Sequence, residues 1–324
     1  MKIKNVEIKN NLILGPMAGV TTEAFRTICL EQGAGLVTSE MISDKGLTYN
    51  NEKTKDMIKL SPNEHPISIQ LFGSEVESMT EAAKIIVNLA HPDILDINMG
   101  CPVKKVVSGG AGSALLKTPD RIYDIVKSIT DSIDIPVTAK IRTGWDQSSI
   151  NCVEVAKILE KAGASMVAVH GRTRSQFYQG TADWNLIRDV KDAVSIPVVA
   201  NGDIRDVESC IKAYEVTGAD GIMVARAALG NPWIFKQIST YYETGQIIAK
   251  PSKLEVIDML LLHATRLMEE KGEHIAMVEM RTHAAWYLKQ LKGTKAMRVA
   301  ISHVSTMNEL VSICNAIKNN QFIN

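Results

Sequence analysis

The sequence predicts a (β/α)8 TIM barrel followed by a small all-helical C-terminal domain. Three observations carry this reading. Eight short runs rich in Val, Ile and Leu recur between residue 12 and about 225, with helical patterns between them. The runs are continuously apolar, as parallel strands buried on both faces are. Glycine-marked polar loops follow nearly every run, whereas an open doubly wound sheet gathers its functional loops at one switch point.

In chain order the runs are Leu12–Met17, Leu36–Ser39, Ile67–Leu71, Ile94–Asn98, Val137–Lys140, Met166–His170, Val198–Asn201 and Gly221–Val224. Ser74 with Glu77 predicts a capping box ahead of Ala82, Ala83, Ile85, Ile86 and Leu89. Thr118-Pro119 supplies a cap and a first-turn proline before Ile122, Ile125 and Ile129. Residues 150–162 are apolar at helical spacing and stop at Gly163. After Asn231-Pro232-Trp233 the rhythm changes. Three helices are expected, over Lys253–Lys271, His274–Lys292 and Thr306–Lys318, punctuated by Gly272 and Gly293. The barrel is assigned to residues 1–240 and the helical domain to 251–324, joined through Gly245 and Pro251.

With 324 residues, 45% hydrophobic and 22% charged, the composition is that of a soluble globular protein large enough to bury a substantial core. The formal net charge is zero, so global charge points to no polyanionic partner; residues from 241 onward carry a net +2. No apolar run approaches the roughly 18 residues of a membrane span. Met1-Lys2-Ile3-Lys4 leads into a strand-like segment instead of a signal peptide. Five widely spaced cysteines without a CxxC pair argue against a disulfide framework or a zinc site, and for a reducing compartment. The expectation is a cytoplasmic monomer without membrane association.

Cys101 stands apart from the other cysteines, in a Gly100-Cys101-Pro102 turn after an apolar run; the other four fall within expected helices. It reads equally as a small half-buried apolar residue or as a proton donor facing a ligand. Chemistry in a barrel lies at the C-terminal strand ends. Those ends offer Gln70, Asn98 with Cys101, Lys140 with Arg142, His170 with Arg172, Asn201 with Asp203, and Ala225-Arg226. Glu40, after the second run, reads as a loop anchor. Lys140 suits a Schiff base or a fixed cation beside a developing anion, or it snorkels to solvent. Asn201-Gly202-Asp203 and Ala225-Arg226 follow strands seven and eight, where barrels often hold phosphate. No metal-ligand constellation is visible. Between Arg281 and Asn308 lie five Lys/Arg and no acidic residue. Arg281, Lys289 and Lys292 would share one helical face interleaved with Trp286 and Tyr287, which fits either a nucleic-acid backbone or a solvated surface.

The motifs together resemble the tRNA-dihydrouridine synthase family, most closely its bacterial B-type branch. The match rests on Gly15-Pro16-Met17-Ala18-Gly19, Gln70-Leu71-Phe72-Gly73, Asn98-Met99-Gly100-Cys101-Pro102, Ala111-Gly112-Ser113, Lys140-Ile141-Arg142, His170-Gly171-Arg172, Asn201-Gly202-Asp203 and Asn231-Pro232-Trp233. The resemblance implies an FMN-binding barrel with a helical tRNA-binding domain. Pro16, Met17 and Ala18 would line the flavin, with Gln70 and Lys140 at its ring edge. Asn201, Gly202, Asp203, Ala225 and Arg226 would hold its phosphate, with His170 nearby. Asn98, Arg142 and Arg172 would meet the target uridine, and Arg281, Lys289 and Lys292 the tRNA. Cys101 would be the catalytic acid. One departure is visible: the family usually has glycine where this chain has Ala225, which would be strained if the turn needs a positive φ.

The implied reaction reduces the C5–C6 double bond of uridine in tRNA to 5,6-dihydrouridine. Hydride would pass from reduced FMN to C6 and a proton from Cys101 to C5, with NADPH reducing the FMN. Two alternatives remain open at the level of sequence. One is an FMN-dependent reductase of a free pyrimidine or other small enone. The other is a phosphate-sugar lyase using Lys140 as Schiff base.

Overall fold

Alternation within each apolar run decides the architecture. In the computed structural model, which describes residues 1–319, eight strands close into a parallel barrel in sequence order. They are β1 (Leu12–Leu14), β2 (Leu36–Ser43), β3 (Ile67–Phe72), β4 (Ile94–Met99), β5 (Val137–Arg142), β6 (Val167–His170), β7 (Val198–Asn201) and β8 (Gly221–Val224). One set of side chains packs under the surrounding helices: Ile69 and Leu71, Leu95 and Ile97, Ala139 and Ile141, Val167 and Val169. The alternate set points into the barrel. Its lower layer is apolar, with Ile13, Leu36, Ile94, Ala168 and Val199. A two-residue antiparallel hairpin, Lys2–Ile3 with Val6–Glu7, plugs this end, and Ile3 and Ile8 join that cluster. Higher up the same set turns polar. On β4 the inward series runs Ile94, Asp96, Asn98; on β5 it runs Thr138, Lys140, Arg142 in matching register. A core at one end of the barrel and a polar floor at the other follow from this one change.

The crossover helices are α1 (Glu23–Glu31), α2 (Val76–Ala90), α3 (Pro119–Thr130), α4 (Cys152–Lys161), α5 (Trp184–Ala193), α6 (Val207–Thr217) and α7 (Ile234–Thr244). α3 shows why they form. Ile122, Ile125, Val126 and Ile129 recur at helical spacing and are fully buried, each contributing about 1.5–3 kcal/mol of transfer free energy. Between β2 and β3 there is no long helix, but two five-residue helices, Asp44–Thr48 and Glu52–Asp56, and a 3-10 turn at Pro62–Glu64.

Four further helices follow: α8 (Lys253–Lys271), α9 (Glu273–Lys289), α10 (Lys295–Ile301) and α11 (Met307–Lys318). Val256, Leu260 and Leu267 of α8 meet Met277, Met280 and Ala284 of α9 and Leu310 and Cys314 of α11 in a second core. Neighbouring residues of α1 divide between the two cores: Ala24 belongs to the second and Phe25 to the barrel's. The Ala24 N–H donates to Glu270 of α8 at 3.0 Å. Gly230 has φ +63°, and a Cβ there would stand 2.4 Å from the backbone of Trp286 and Tyr287. α9 therefore docks on the turn before Asn231-Pro232-Trp233.

Several expectations are corrected. Ser74 caps no helix: its hydroxyl donates to the Gly109 carbonyl at 2.8 Å, and α2 begins after Glu75 without a side-chain cap. Pro119 does open α3, but the Thr118 hydroxyl turns back to Leu115. α9 stops at Lys289, and residues 295–301 form a helix that was not expected. The Thr294 hydroxyl, bonded to the carbonyls of Leu288 and Leu291, closes α9 there. The last five residues of the assigned C-terminal domain, 320–324, lie outside the described residues. Cys29, Cys152, Cys210 and Cys314 are buried in helices, and Cys101 is half-buried in its loop. Among the described residues no helix is long and apolar enough to cross a membrane.

Candidate active site

A cavity of about 710 Å³ opens at the C-terminal end of the strands, within the usual range for small-molecule sites. It gathers Pro16, Met17, Ala18, Gln70, Asn98, Cys101, Lys140, Arg142, His170, Asn201, Gly202, Asp203, Ala225 and Arg226. Residues scattered over 211 positions of sequence thus meet because each follows, or ends, an inward-facing strand position.

The Cys101 loop is pinned on three sides. Asn98 Oδ1 accepts from the backbone N–H groups of Gly100 (3.1 Å) and Cys101 (2.9 Å). Arg142 Nε donates to the Gly100 carbonyl at 2.8 Å. The Cys101 carbonyl accepts from both the backbone and the hydroxyl of Ser113. Gly112, at φ +59°, makes room for this, since a Cβ there would lie 2.9 Å from the Cys101 oxygen. Burial pushes the Cys101 thiol above its ordinary value, against the opposing pull of a Val103 backbone bond and the Arg142 and Lys140 charges. The thiol is therefore protonated at neutral pH.

Cations dominate the floor. Lys140 donates to Asn201 Oδ1 at 3.1 Å; burial, then Arg142, bring its pKa down to about 8. Arg142 is 2% exposed, and its Nη1 donates to the carbonyls of Thr173 and Phe177 at 2.8 Å each. Its Nη2 has no bonded partner among the described residues. His170 is buried, and desolvation followed by the charges of Lys140, Arg142, Arg172 and Arg226 holds it well below its ordinary value, hence neutral. Arg172 Nη1 lies 3.4 Å from His170 Nε2. An arginine only donates, so Nε2 accepts and Nδ1 carries the proton.

One end of the cavity offers unused backbone donors. The N–H groups of Asp203, Ile204, Arg226 and Ala227 donate to no protein acceptor among the described residues. Gly202, at φ +111°, is required here because a Cβ would meet the His170 ring at 2.8 Å. Ala225 has φ −123°, so the strain anticipated at this position does not arise. The Asp203 carboxylate is not available to an anion. It takes Arg172 Nη2 on both oxygens and the Ala182 N–H; burial raises it, but these bonds outweigh that and hold it below the usual carboxylate range.

Four of the residues singled out from the sequence lie elsewhere. Arg172 does not line the cavity: 1% exposed, it is spent on Asp203, Gln179 and Gly180. Arg281 donates its Nε to the Val304 carbonyl at 2.9 Å, bracing the second core. Lys289 is exposed at the end of α9, and Lys292 is exposed beyond it, so the expected common helical face does not exist. Tyr287 is fully buried and Trp286 packs on the barrel core. Glu40 does anchor a loop, accepting the Gly19 N–H at 2.6 Å.

Sequence reading missed Asp96, Thr138, Ser113 and Tyr178. Asp96 and Asn98 carry a legible signal: two polar residues at i and i+2 of a buried strand share one face. Tyr178 lines the cavity, 4.5 Å from ring centroid to the Arg226 guanidinium; nothing in its surrounding sequence marks it.

A family model described as dihydrouridine synthase matches residues 13–322. The chain belongs to the dihydrouridine synthase family. Within this family it is 42% identical over 309 residues to tRNA-dihydrouridine synthase B of Vibrio cholerae, covering 95% of this chain and 96% of that one. It is 44% identical to the protein of the same name from Pseudomonas putida, covering 92% and 88%. Among solved structures the fold resembles histamine dehydrogenase from a Rhizobium species (TM-score 0.54, 14% identity, 82% of this chain). It also resembles a 2-naphthoyl-CoA reductase (TM-score 0.57, 13% identity, 74% of this chain). This dihydrouridine synthase family member spans about half the length of those two chains (50% and 51%), and at such identity the likeness concerns the barrel alone.

Proposed function

We propose that this protein reduces the C5–C6 double bond of uridine in tRNA to 5,6-dihydrouridine, using FMN and NADPH. The family assignment supports tRNA uridine reduction, and its relatives carry that substrate in their names. The observation that carries the chemistry is a protonated thiol, Cys101, on a pinned loop over a cavity whose floor presents donors and cations. When bound, FMN would supply the hydride and NADPH would restore it.

The residues present fit that cofactor. Free N–H groups at Asp203, Ile204, Arg226 and Ala227, with the Arg226 side chain, form a cradle for a phosphate. Pro16, Met17 and Ala18 offer an apolar wall, and Gln70 and Lys140 offer donors to a ring edge. Arg172 and the Asp203 carboxylate brace this cradle from behind. The free Nη2 of Arg142 and the Asn98 amide N–H would hold a uracil carbonyl as charge develops on it. Cys101 would then protonate C5. The base must leave its stack to reach the thiol. Lys289 and Lys292, together with the helical domain at 251–324, would grip tRNA phosphates, and binding would weaken steeply with salt. Proteins of this kind would work in the cytoplasm as monomers.

Two measurements test the reading together. The purified protein should be yellow, with a flavin spectrum bleached by NADPH. Uridine reduction should disappear from defined tRNA positions in a strain lacking it. A colourless protein, or an unchanged dihydrouridine map, would sink the proposal.

A further inference from the structure

Asp96 has no place in the reaction as described. It is 4% exposed, midway up β4 and one layer beneath the cavity. Thr138 Oγ1 donates to its Oδ1 at 2.6 Å, and Gln70 Nε2 donates to its Oδ2 at 2.7 Å. Gln70 Oε1 in turn accepts from Asn98 Nδ2 at 2.7 Å. Asn98 Oδ1 accepts from the N–H groups of Gly100 and Cys101. A continuous chain of hydrogen bonds thus runs from Asp96 through two side-chain amides to the Cys101 backbone.

Burial raises the Asp96 carboxyl above its ordinary value, against the Gln70 and Thr138 bonds and the Lys140 charge. Ionised, it accepts on both oxygens, and backbone N–H groups only donate. An amide between them has one way round that satisfies both neighbours, and so does the next. Reversing either would set donor against donor or acceptor against acceptor in a buried site, where an unmade bond costs most.

We propose that Asp96 is a positioning residue that sets the polarity of the Gln70 and Asn98 amides and thereby holds the Cys101 loop. Two consequences follow. The loop keeps its acceptor at Asn98 Oδ1. The spare amide hydrogen of Gln70, and that of Asn98, which meets only the weak Met41 thioether acceptor at 3.8 Å, are left at the cavity as donors for a ligand's carbonyl or ring acceptors. The site is built to receive a ligand edge rich in acceptors.

The test reads the Cys101 thiol itself, in the full-length protein without substrate. The other four cysteines are buried, so iodoacetamide labelling followed by mass mapping reports on residue 101. D96L keeps the bulk but removes the acceptor, so Gln70 loses the bond that holds its amide and the chain to the loop N–H groups loosens. Labelling of Cys101 should accelerate by about fivefold or more, the effect of losing one or two hydrogen bonds. D96N keeps an acceptor: its oxygen faces Gln70 while its amide donates to the Thr138 hydroxyl, which can accept, so its rate should stay near wild type. An unchanged rate in D96L overturns the proposal; so does a D96N rate as fast as that of D96L, since that marks the charge and not the acceptor. If D96L does not fold, the melting temperatures decide. Q70E alone sets two carboxylates face to face, and D96N/Q70E lets the new amide donate to the new carboxylate, so D96N/Q70E should melt above Q70E. A double variant no more stable than Q70E overturns the polarity chain. This inference uses the reading of Cys101 as proton donor only for its purpose. Labelling needs no turnover, so either claim can fail while the other stands.

Discussion

Arg172 and Asp203 pair at 2.7 Å, with the guanidinium side chain 1% exposed and the carboxylate 12%. The pair ties the loop after β6 to the turn after β7, behind the proposed phosphate cradle. Removing Arg172 leaves Asp203 with Arg205 at 3.4 Å, Arg226 at 3.7 Å and the Ala182 N–H, so the cost lies below the roughly 3–5 kcal/mol of an uncompensated buried charge. R172A should lower the urea midpoint accordingly. FMN retention should fall in the fraction that remains folded. A loss under about 1 kcal/mol, the range of an exposed pair, would show that the pair is not sealed.

Replacing Cys101 by alanine should leave NADPH-driven flavin reduction intact and cut turnover on tRNA by about 10² or more, the usual reach of a general acid. Because burial raises the thiol above its ordinary value, the pH profile of Cys101 alkylation should have its midpoint above about 8.5. Full turnover in C101A would remove the residue from the proton-transfer step.

Lys140 carries a cost that function explains. Its folded pKa of about 8 lies below the unfolded value near 10.4, so the unfolded chain binds more protons between these values. Stability of the flavin-free protein should therefore rise as pH climbs from about 8 to about 10.4. K140M should raise the melting temperature at pH 7, by up to about 3 kcal/mol in stability, while weakening FMN retention. Calorimetry of apo protein and variant decides this. A K140M that melts lower would contradict it.

The helical domain should be acid-labile. Burial, then Lys271, hold His283 at about 4, against a Gly19 backbone bond that raises it. Unfolded histidine titrates near 6.5. Stability is then complete above about 6.5 and declines as pH falls towards 4, by about 3 kcal/mol for this side chain. His263, stacked on Phe25 at 5.4 Å and also buried neutral, adds in the same direction. Hydrogen exchange at pH 7 and pH 5 should show α8 and α9 loosening first. An H283Q variant with the same pH response would refute the assignment.

Strand positions were legible because outward-facing residues are uniformly apolar, and all eight expected runs overlap observed strands. The inward layers were less so. Reading strand ends finds Lys140 and Asn98 but passes over Asp96 and Thr138, one step lower, where a polar residue in an apolar run looks like an interruption. Ser113 stood in a quoted motif, yet its bond to Cys101 arises only when a loop twelve residues on folds back. Lys292 was misplaced for a simpler reason: a helical projection holds only as far as the helix, and α9 ends at Lys289. Arg281 lies within α9, but its guanidinium turns to the Val304 carbonyl, a long-range contact that no projection shows.

The split allegiance of α1 has a practical consequence. Ala24 packs in the helical core, Phe25 packs in the barrel core while its ring stacks on His263 of α8, and Arg266 reaches Thr27 and Glu31 on the same helix. A chimera that exchanges only residues 251 onward with a homologue would therefore graft a new tail onto half of its old mating surface. Tail and first helix should be transplanted as one cassette, with the exchange boundary set ahead of Thr21.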